Sequence, residues 1–274
     1  MLGATAGVLA VALAIAYVIL DEPRPIGREG ADAEALAAQM ERAVSLPAWE
    51  RTGAVRWTFA GRNEHLWDRA RGFTRVRWDD VEALLHEGGT SGRAYRAGRE
   101  LRGEEAREVR ESAYARWIND SFWLNPIAKL RDPGVSREVV TLPNGTDALL
   151  VSYASGGLTP GDAYLWILGE SGLPRAWKMW VSIIPVGGVE STWEGWITLS
   201  TGAKIATRHA GPLGLTLELT DVEGAASVAE LLEGPDPFAP LLDVRVENLD
   251  GFRGRDGAQL RPVPPRRCSV EGDD

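Results

Sequence analysis

The sequence has 274 residues, of which 44% are hydrophobic and 25% are charged, as is typical of a globular protein with a substantial core. The formal net charge of −9 excludes nucleic acid and anionic lipid headgroups as main partners, because both bind basic surfaces. The single cysteine, Cys268, excludes an intramolecular disulfide, so the core must supply the stability.

The chain begins with an uncharged run, residues 2–20, that is long enough to cross a bilayer as a helix. A cleaved secretory signal is the alternative, with Ala14-Ile15-Ala16 as its cleavage site. Because no Lys or Arg precedes the run and it continues through Leu20, an uncleaved signal-anchor or transmembrane helix is favoured. Charges of both signs follow it and leave the membrane orientation open. We expect a membrane-anchored protein of the cell envelope, with its domain in the periplasm, or exported if the leader is cleaved.

A linker is predicted at 21–31, which contains two prolines, two glycines and charges of both signs. The main domain follows at 32–224. Asp32 is a suitable N-cap residue for a first helix at 33–44, in which apolar side chains recur at helical spacing.

Beyond Trp49 the hydrophobic period changes to two, which indicates strands. The acidic start of a later amphipathic stretch predicts a second helix at 104–123, which ends before Asn125-Pro126 because the residue before a proline disfavours the α region. The strands expected before this helix are 53–60, 63–70 and 73–79, with a short charged hairpin at 92–102.

A series of hairpins follows Pro133-Gly134. The expected strands are 137–142 with 148–154, 164–168 with 174–184, 190–200 with 204–209, and finally 213–219. Sequential hairpins predict one antiparallel, strongly curved sheet or open barrel, in a mainly β (α+β) fold. Beyond Gly224 the pattern weakens, which predicts a C-terminal extension at 225–252 and a disordered tail at 253–274.

The eleven tryptophans all lie between Trp49 and Trp196, and most of them stand on the predicted strands. Because successive strand residues point to opposite faces, the period-two runs place their aromatic side chains on one face of the sheet. Aromatic side chains in this pattern are most often simply core. Eleven is a large number for one sheet, and it favours a cavity that holds an apolar ligand.

Catalytic and metal-binding motifs have little support in the sequence. Only three histidines are present, His65, His86 and His209, and no two of them have a metal-ligand spacing. No cofactor site is predicted. A hydrolase built on Asp120, Asp132 or His65 is the least favoured function, and it requires that these side chains meet within hydrogen-bonding distance.

One stretch carries a more specific resemblance. Trp117 to Pro126 leads into Lys129-Leu130-Arg131-Asp132-Pro133-Gly134, and Gly161-Asp162-Ala163-Tyr164 follows downstream. This order is similar to an uncharacterised family of bacterial exported proteins, which in turn resembles the superfamily of periplasmic lipoprotein carriers and receptors (LolA/LolB-like). The resemblance covers roughly residues 32–222. It implies an unclosed half-barrel covered by helices, with an apolar cavity for acyl chains.

From the resemblance and the strand pattern we expect a membrane-tethered extracytoplasmic protein that binds a lipid or the acyl chain of a lipidated protein. The residues expected to line the cavity are Trp57, Phe59, Trp78, Trp166, Trp177 and Trp193, which strand parity places inward. The alternative is an extracytoplasmic structural or interaction domain with a fully packed core and no ligand.

Overall fold

Two antiparallel sheets build most of the protein, for which a computed structural model describes residues 21–154 and 161–244. The strands before the second long helix are β1 (Ala54–Phe59), β2 (Asn63–Asp68), β3 (Phe73–Trp78), β4 (Val81–His86), β5 (Gly92–Arg96) and β6 (Arg99–Glu100). The strands after it are β7 (Val135–Thr141), β8 (Asp147–Tyr153), β9 (Ala163–Leu168), β10 (Pro174–Trp180), β11 (Val189–Thr192), β12 (Ile197–Thr198), β13 (Lys204–Ile205), β14 (Arg208–Ala210) and β15 (Thr216–Ala225).

The sheets are curved and together they remain unclosed. The eight-stranded sheet has the order β14-β15-β1-β2-β3-β4-β5-β6, and the five-stranded sheet has the order β11-β10-β9-β8-β7. A bridge between Glu194 and Arg208 joins β14 to the chain just after β11, so the second sheet continues from the edge of the first. Within the described residues, β6 and β7 stand at the two far ends and do not pair with each other. The predicted mainly β, unclosed architecture is thus confirmed, although two sheets replace the single one expected.

Two long helices cover the face of the sheets that we call the inner face. They are α1 (Ala31–Ala43) and α3 (Gly103–Leu124), and the short α2 (Leu46–Arg51) follows α1. Helix α1 buries a stripe at helical spacing, Ala33, Ala37 and Met40, against the five-stranded sheet. Helix α3 buries Val109 and Ala113 against β3, β4 and β5. The ends of both helices were predicted to within two residues, because the spacing of their apolar side chains and the residues that flank them indicate the same limits.

The chain after β15 covers the opposite, outer face of the eight-stranded sheet. A short helix, α4 (Val228–Leu231), begins at Ser227, whose Oγ accepts a hydrogen bond from the backbone N–H of Glu230. Phe238 and Leu241 then pack on Leu66, Phe73 and Leu84. The outer face is therefore buried at Leu66, Phe73 and Leu84, whereas Glu64 and Arg77 on the same face are exposed.

Two strand predictions were wrong in ways that have a physical reason. The alternation from Leu213 to Leu219 predicted one strand, but Leu213 has φ 58° and is 99% exposed, and Leu215 is 69% exposed. The strand starts only at Thr216, because the residues at the beginning of the alternating pattern form a tight turn at Pro212–Gly214. The predicted strand 190–200 is likewise divided between β11 and β12. Strand β4 was not predicted at all.

The predicted membrane-spanning run lies outside the described residues. Among residues 21–154 and 161–244, no helix is long and apolar enough to cross a membrane.

Candidate functional site

Three of the six predicted ligand-lining residues meet on the inner face of the five-stranded sheet and its junction with β14. The ring centroids of Trp166 and Trp177 are 4.8 Å apart, and Trp193 lies 5.0 Å from Trp166 and 4.9 Å from Trp177. Trp166 and Trp177 are directly paired residues on β9 and β10, so they share one face. All three side chains are buried.

The five other residues of this cluster, Phe122, Trp123, Tyr153, Tyr164 and His209, were not assigned to the site from the sequence. We call the whole set the aromatic cluster; its members are Phe122, Trp123, Tyr153, Tyr164, Trp166, Trp177, Trp193 and His209. Trp123 is 4.9 Å from Trp177, and His209 is 4.4 Å from Trp193. The sequence feature that could have assigned Trp123 to the site is its position at the end of α3, one residue after Phe122. The side chains of Phe122 and Trp123 are only partly buried.

The other three predicted residues lie on the inner face of the eight-stranded sheet. Trp57 and Phe59 are buried with Leu124 and Leu219 in a neighbouring cluster. Trp78 is partly buried farther along the sheet, where the guanidinium of Arg116 lies 4.5 Å from its ring. Strand parity placed all six on the inner face, but the structure distributes them over three packing clusters.

Several polar atoms inside the aromatic cluster are buried and have no hydrogen-bond partner among the residues that the structure describes. They are the indole N–H groups of Trp166, Trp177 and Trp193, the hydroxyl of Tyr153 and Nε2 of His209. Leaving one such group unsatisfied costs about 1–3 kcal/mol.

His209 is held by one hydrogen bond from its ring to the backbone. Its Nδ1 lies 3.1 Å from the carbonyl oxygen of Thr192, and since a carbonyl only accepts, Nδ1 carries the proton. Burial lowers the pKa of His209 to about 4, although the bond to Thr192 and the charge of Glu194 oppose that shift. The side chain is therefore neutral at pH 7, and its Nε2 is a free acceptor.

The lowered pKa of His209 predicts a loss of stability in acid. In the unfolded chain this imidazole has its ordinary pKa of 6.5, so the unfolded state binds a proton between about pH 6.5 and pH 4 that the folded state does not. The contribution of His209 to the free energy of unfolding does not change with pH above pH 7. Between pH 7 and pH 5 we expect the free energy of unfolding to fall by about 2 kcal/mol because of this group. Urea unfolding at both pH values should show a smaller loss for His209→Gln. Equal losses in the two proteins would contradict the burial of a neutral His209.

A second polar feature of the interior links α3 to β2. The ring Nε2 of His65 lies 2.8 Å from Oδ2 of Asp120, and both side chains are almost fully buried. The side-chain amides of Asn63 and Asn119 donate to the same carboxylate, at 2.7 and 2.9 Å. The ring of His65 also stacks on Trp57, with centroids 4.6 Å apart.

The three residues of the predicted hydrolase site are thus only partly brought together. His65 and Asp120 do meet, whereas Asp132 is about half exposed and lies 3.9 Å from the ammonium of Lys129. With side-chain exposures of 0% and 2%, His65 and Asp120 are not accessible to a substrate in this conformation. The pair instead fastens helix α3 to the inner face of the sheet.

Two open depressions of the surface are not lined by any tryptophan. One, of ≈ 500 Å³, is lined by Arg77, Asp79, Tyr95 and neighbouring residues, and the other, of ≈ 460 Å³, by Arg42, Ser45 and Arg51 among others. Within residues 21–154 and 161–244, no group of three or more His, Cys, Asp or Glu side chains is placed to hold a metal ion. The aromatic cluster is the candidate site because it brings together three of the six predicted residues, Trp166, Trp177 and Trp193.

Comparison with known proteins gives no family assignment. No family model matches the chain, and no curated protein matches it. A DUF1329 family protein from Desulfovibrio piger ATCC 29098 aligns with a TM-score of 0.38 and 9% identity, over 73% of this chain and 97% of that one. A "putative outer membrane lipoprotein-sorting protein domain" from Vibrio parahaemolyticus aligns with a TM-score of 0.34 and 9% identity, over 69% of this chain and 93% of that one. At such low scores neither alignment assigns a function to this chain.

Proposed function

We propose that this protein is an extracytoplasmic binding protein of the cell envelope that holds a lipid or the acyl chain of a lipidated protein against its aromatic cluster. The apolar run at 2–20 predicts the export and the tethering. The net charge of −9 of the whole chain argues against recognition of an anionic phospholipid headgroup, which needs a basic surface, so we infer that the apolar part of the ligand supplies most of the contact.

The unsatisfied polar atoms carry this proposal. In a core that serves stability alone, three unpaired indole N–H groups are a cost, and phenylalanine would provide much of the same ring packing without it. An acyl chain that ends in an ester or carboxyl group provides both apolar contact and acceptor oxygens for such donors. The aromatic cluster provides the matching surface.

Access to the aromatic cluster is through the end of helix α3. Phe122 and Trp123 lie over Trp177, at 6.0 and 4.9 Å between centroids, and both are partly exposed. They fill the space that a ligand would occupy, so binding requires these two side chains to move aside. The cost of that movement lowers the apparent affinity in proportion to the population of the open form.

A second candidate function is a structural or interaction domain without a ligand. The observation that favours it is the complete burial of Trp166 and Trp177 behind the end of α3.

Lipid extraction and titration distinguish the two functions. We expect organic extraction of the purified full chain, followed by mass spectrometry, to release a co-purifying lipid. We also expect palmitate added to the delipidated protein to shift or quench the tryptophan emission in a saturable way. Replacing Trp193 by Phe removes one donor and should weaken binding about tenfold, the equivalent of one hydrogen bond.

A matched control is Trp180→Phe, because Trp180 lies on the outer face of the same sheet, where its indole donates to the carbonyl of Glu22. This variant should bind palmitate like the unchanged protein. Absence of both a co-purifying lipid and a palmitate response at saturation would favour the structural domain instead.

A further inference from the structure

The last turn of helix α3 contacts both sheets. Asp120 lies one turn before Trp123 and Leu124, so the three side chains project from the same side of the helix. Asp120 is 2.8 Å from His65 on β2, and the ring of Trp123 lies 4.9 Å from that of Trp177 on β10. The turn that covers the aromatic cluster is therefore the one that a buried carboxylate attaches to the eight-stranded sheet.

Two sets of contacts with β1 and β2 fix this turn. The first is polar: Asn63 donates to Oδ2 of Asp120 at 2.7 Å, and the ring of His65 bonds to the same oxygen. The second is apolar: His65 stacks on Trp57, with centroids 4.6 Å apart, and Trp57 packs in one cluster with Leu124. Displacing the last turn from the sheet breaks both sets together.

The backbone contributes less to holding the end of this helix than it does within the helix. In a continued helix the carbonyl of Phe122 would accept a hydrogen bond from the N–H of residue 126, but Pro126 has no N–H. Asn125, with φ −155° and ψ 74°, has already left the helical conformation. Side-chain contacts such as those of Asp120 therefore supply much of what keeps Phe122 and Trp123 in place.

We propose that Asp120, together with His65 and Asn63, sets how often the end of α3 moves away from the aromatic cluster, and thereby sets the affinity for the apolar ligand. The inference rests on the proposed function, because it assigns these residues a positioning role at the same site. With side-chain exposures of 0% and 2%, His65 and Asp120 act through the helix and not by touching the ligand. Weakening the bonds to Asp120 raises the population of the open form, and the apparent affinity rises in proportion.

Two asparagines provide a matched pair of variants. The side-chain amides of both donate to Asp120, Asn63 at 2.7 Å from β2 and Asn119 at 2.9 Å from the same helix. Asn63→Ala therefore removes a bond between the helix and the sheet. Asn119→Ala removes a bond that moves with the helix and persists when the helix end opens. Each variant loses one hydrogen bond to a charged group, so their comparison separates the attachment of the helix from stability in general.

Hydrogen exchange in the ligand-free full chain measures the opening itself. At the amides of residues 121–124 we expect Asn63→Ala to exchange about tenfold faster than the unchanged protein, the equivalent of one hydrogen bond. Asn119→Ala should exchange at these amides like the unchanged protein. The amides of residues 106–113, in the part of α3 that packs on β3, β4 and β5, should differ little in either variant.

Palmitate titration then connects the opening to binding. We expect delipidated Asn63→Ala to bind palmitate more tightly than the unchanged protein, by up to the factor by which exchange rises, and Asn119→Ala to bind it equally. Asp120→Asn keeps the shape of the side chain but removes the charge that strengthens all three bonds, so its effect on exchange and on binding should be larger. Removing a residue that only stabilised the fold would not tighten binding.

The possible failures are distinguishable. Unchanged exchange at residues 121–124 in Asn63→Ala, or an equal rise in Asn119→Ala, would overturn the positioning role whether or not palmitate binds. Faster exchange together with saturable palmitate binding of unchanged affinity would overturn the inference and leave the proposed function intact. No palmitate binding by any of these proteins would contradict the proposed function, and with it the link to affinity.

Discussion

Replacing Trp177 with alanine is expected to lower the free energy of unfolding by about 3–5 kcal/mol, the usual cost of emptying a large aromatic site in a core. Trp177 is completely buried, and the rings of Trp123, Trp166 and Trp193 surround it at 4.8–4.9 Å. No neighbour can collapse into the vacated volume without breaking its own ring contacts. Urea unfolding monitored by circular dichroism measures the change.

Trp177→Phe is the control for this prediction. It retains most of the ring packing and removes an indole N–H that has no partner, so we expect a loss of less than about 1.5 kcal/mol. Equal losses for alanine and phenylalanine would show that the N–H group is hydrogen-bonded in solution, and would contradict the unsatisfied state on which the proposed function rests.

Replacing Asp120 with leucine is expected to be similarly destabilising, by about 3–5 kcal/mol, because it removes a buried carboxylate and leaves Nε2 of the buried His65 without its partner. His65 and the amides of Asn63 and Asn119 all bond to this carboxylate. The exposed Asp132 provides the comparison, since Asp132→Leu should change stability by less than about 0.5 kcal/mol.

The double variant His65→Leu with Asp120→Leu tests whether the pair acts as a unit. If it does, the double variant loses less free energy of unfolding than the two single variants lose together. The expected difference, which is the coupling energy, is about 1–3 kcal/mol. Strictly additive losses would contradict the pairing of these side chains. A coupled, purely structural pair would leave the hydrolase hypothesis without its only assembled residues.

Local sequence signals predicted the helices and most hairpins. The limits of α1 and α3 follow from apolar spacing and from Asn125-Pro126, which act within one element. Strand β4 was missed because Val81–His86 is buried on both faces and has no clear alternation. At Leu213 and Leu215 the error was the opposite one: a strand was predicted where the structure has a turn. A period-two pattern does not reveal that a residue adopts a left-handed conformation.

For the candidate site, parity along each strand was sufficient to assign Trp57, Phe59, Trp166 and Trp177 to the inner face. It could not tell which inward residues meet, because that depends on how the two sheets join at Glu194 and Arg208. It also gave no account of His209, which reaches Trp193 only through that junction.

The sequence by itself determined the class of fold, the two covering helices and the aromatic character of the inner face, because these follow from periodicity within single elements. The tertiary structure alone decided that Phe122 and Trp123 fill the space above Trp177, and that His65 meets Asp120 across 55 residues of chain. Such contacts depend on where one element lies over another. No local pattern encodes that placement.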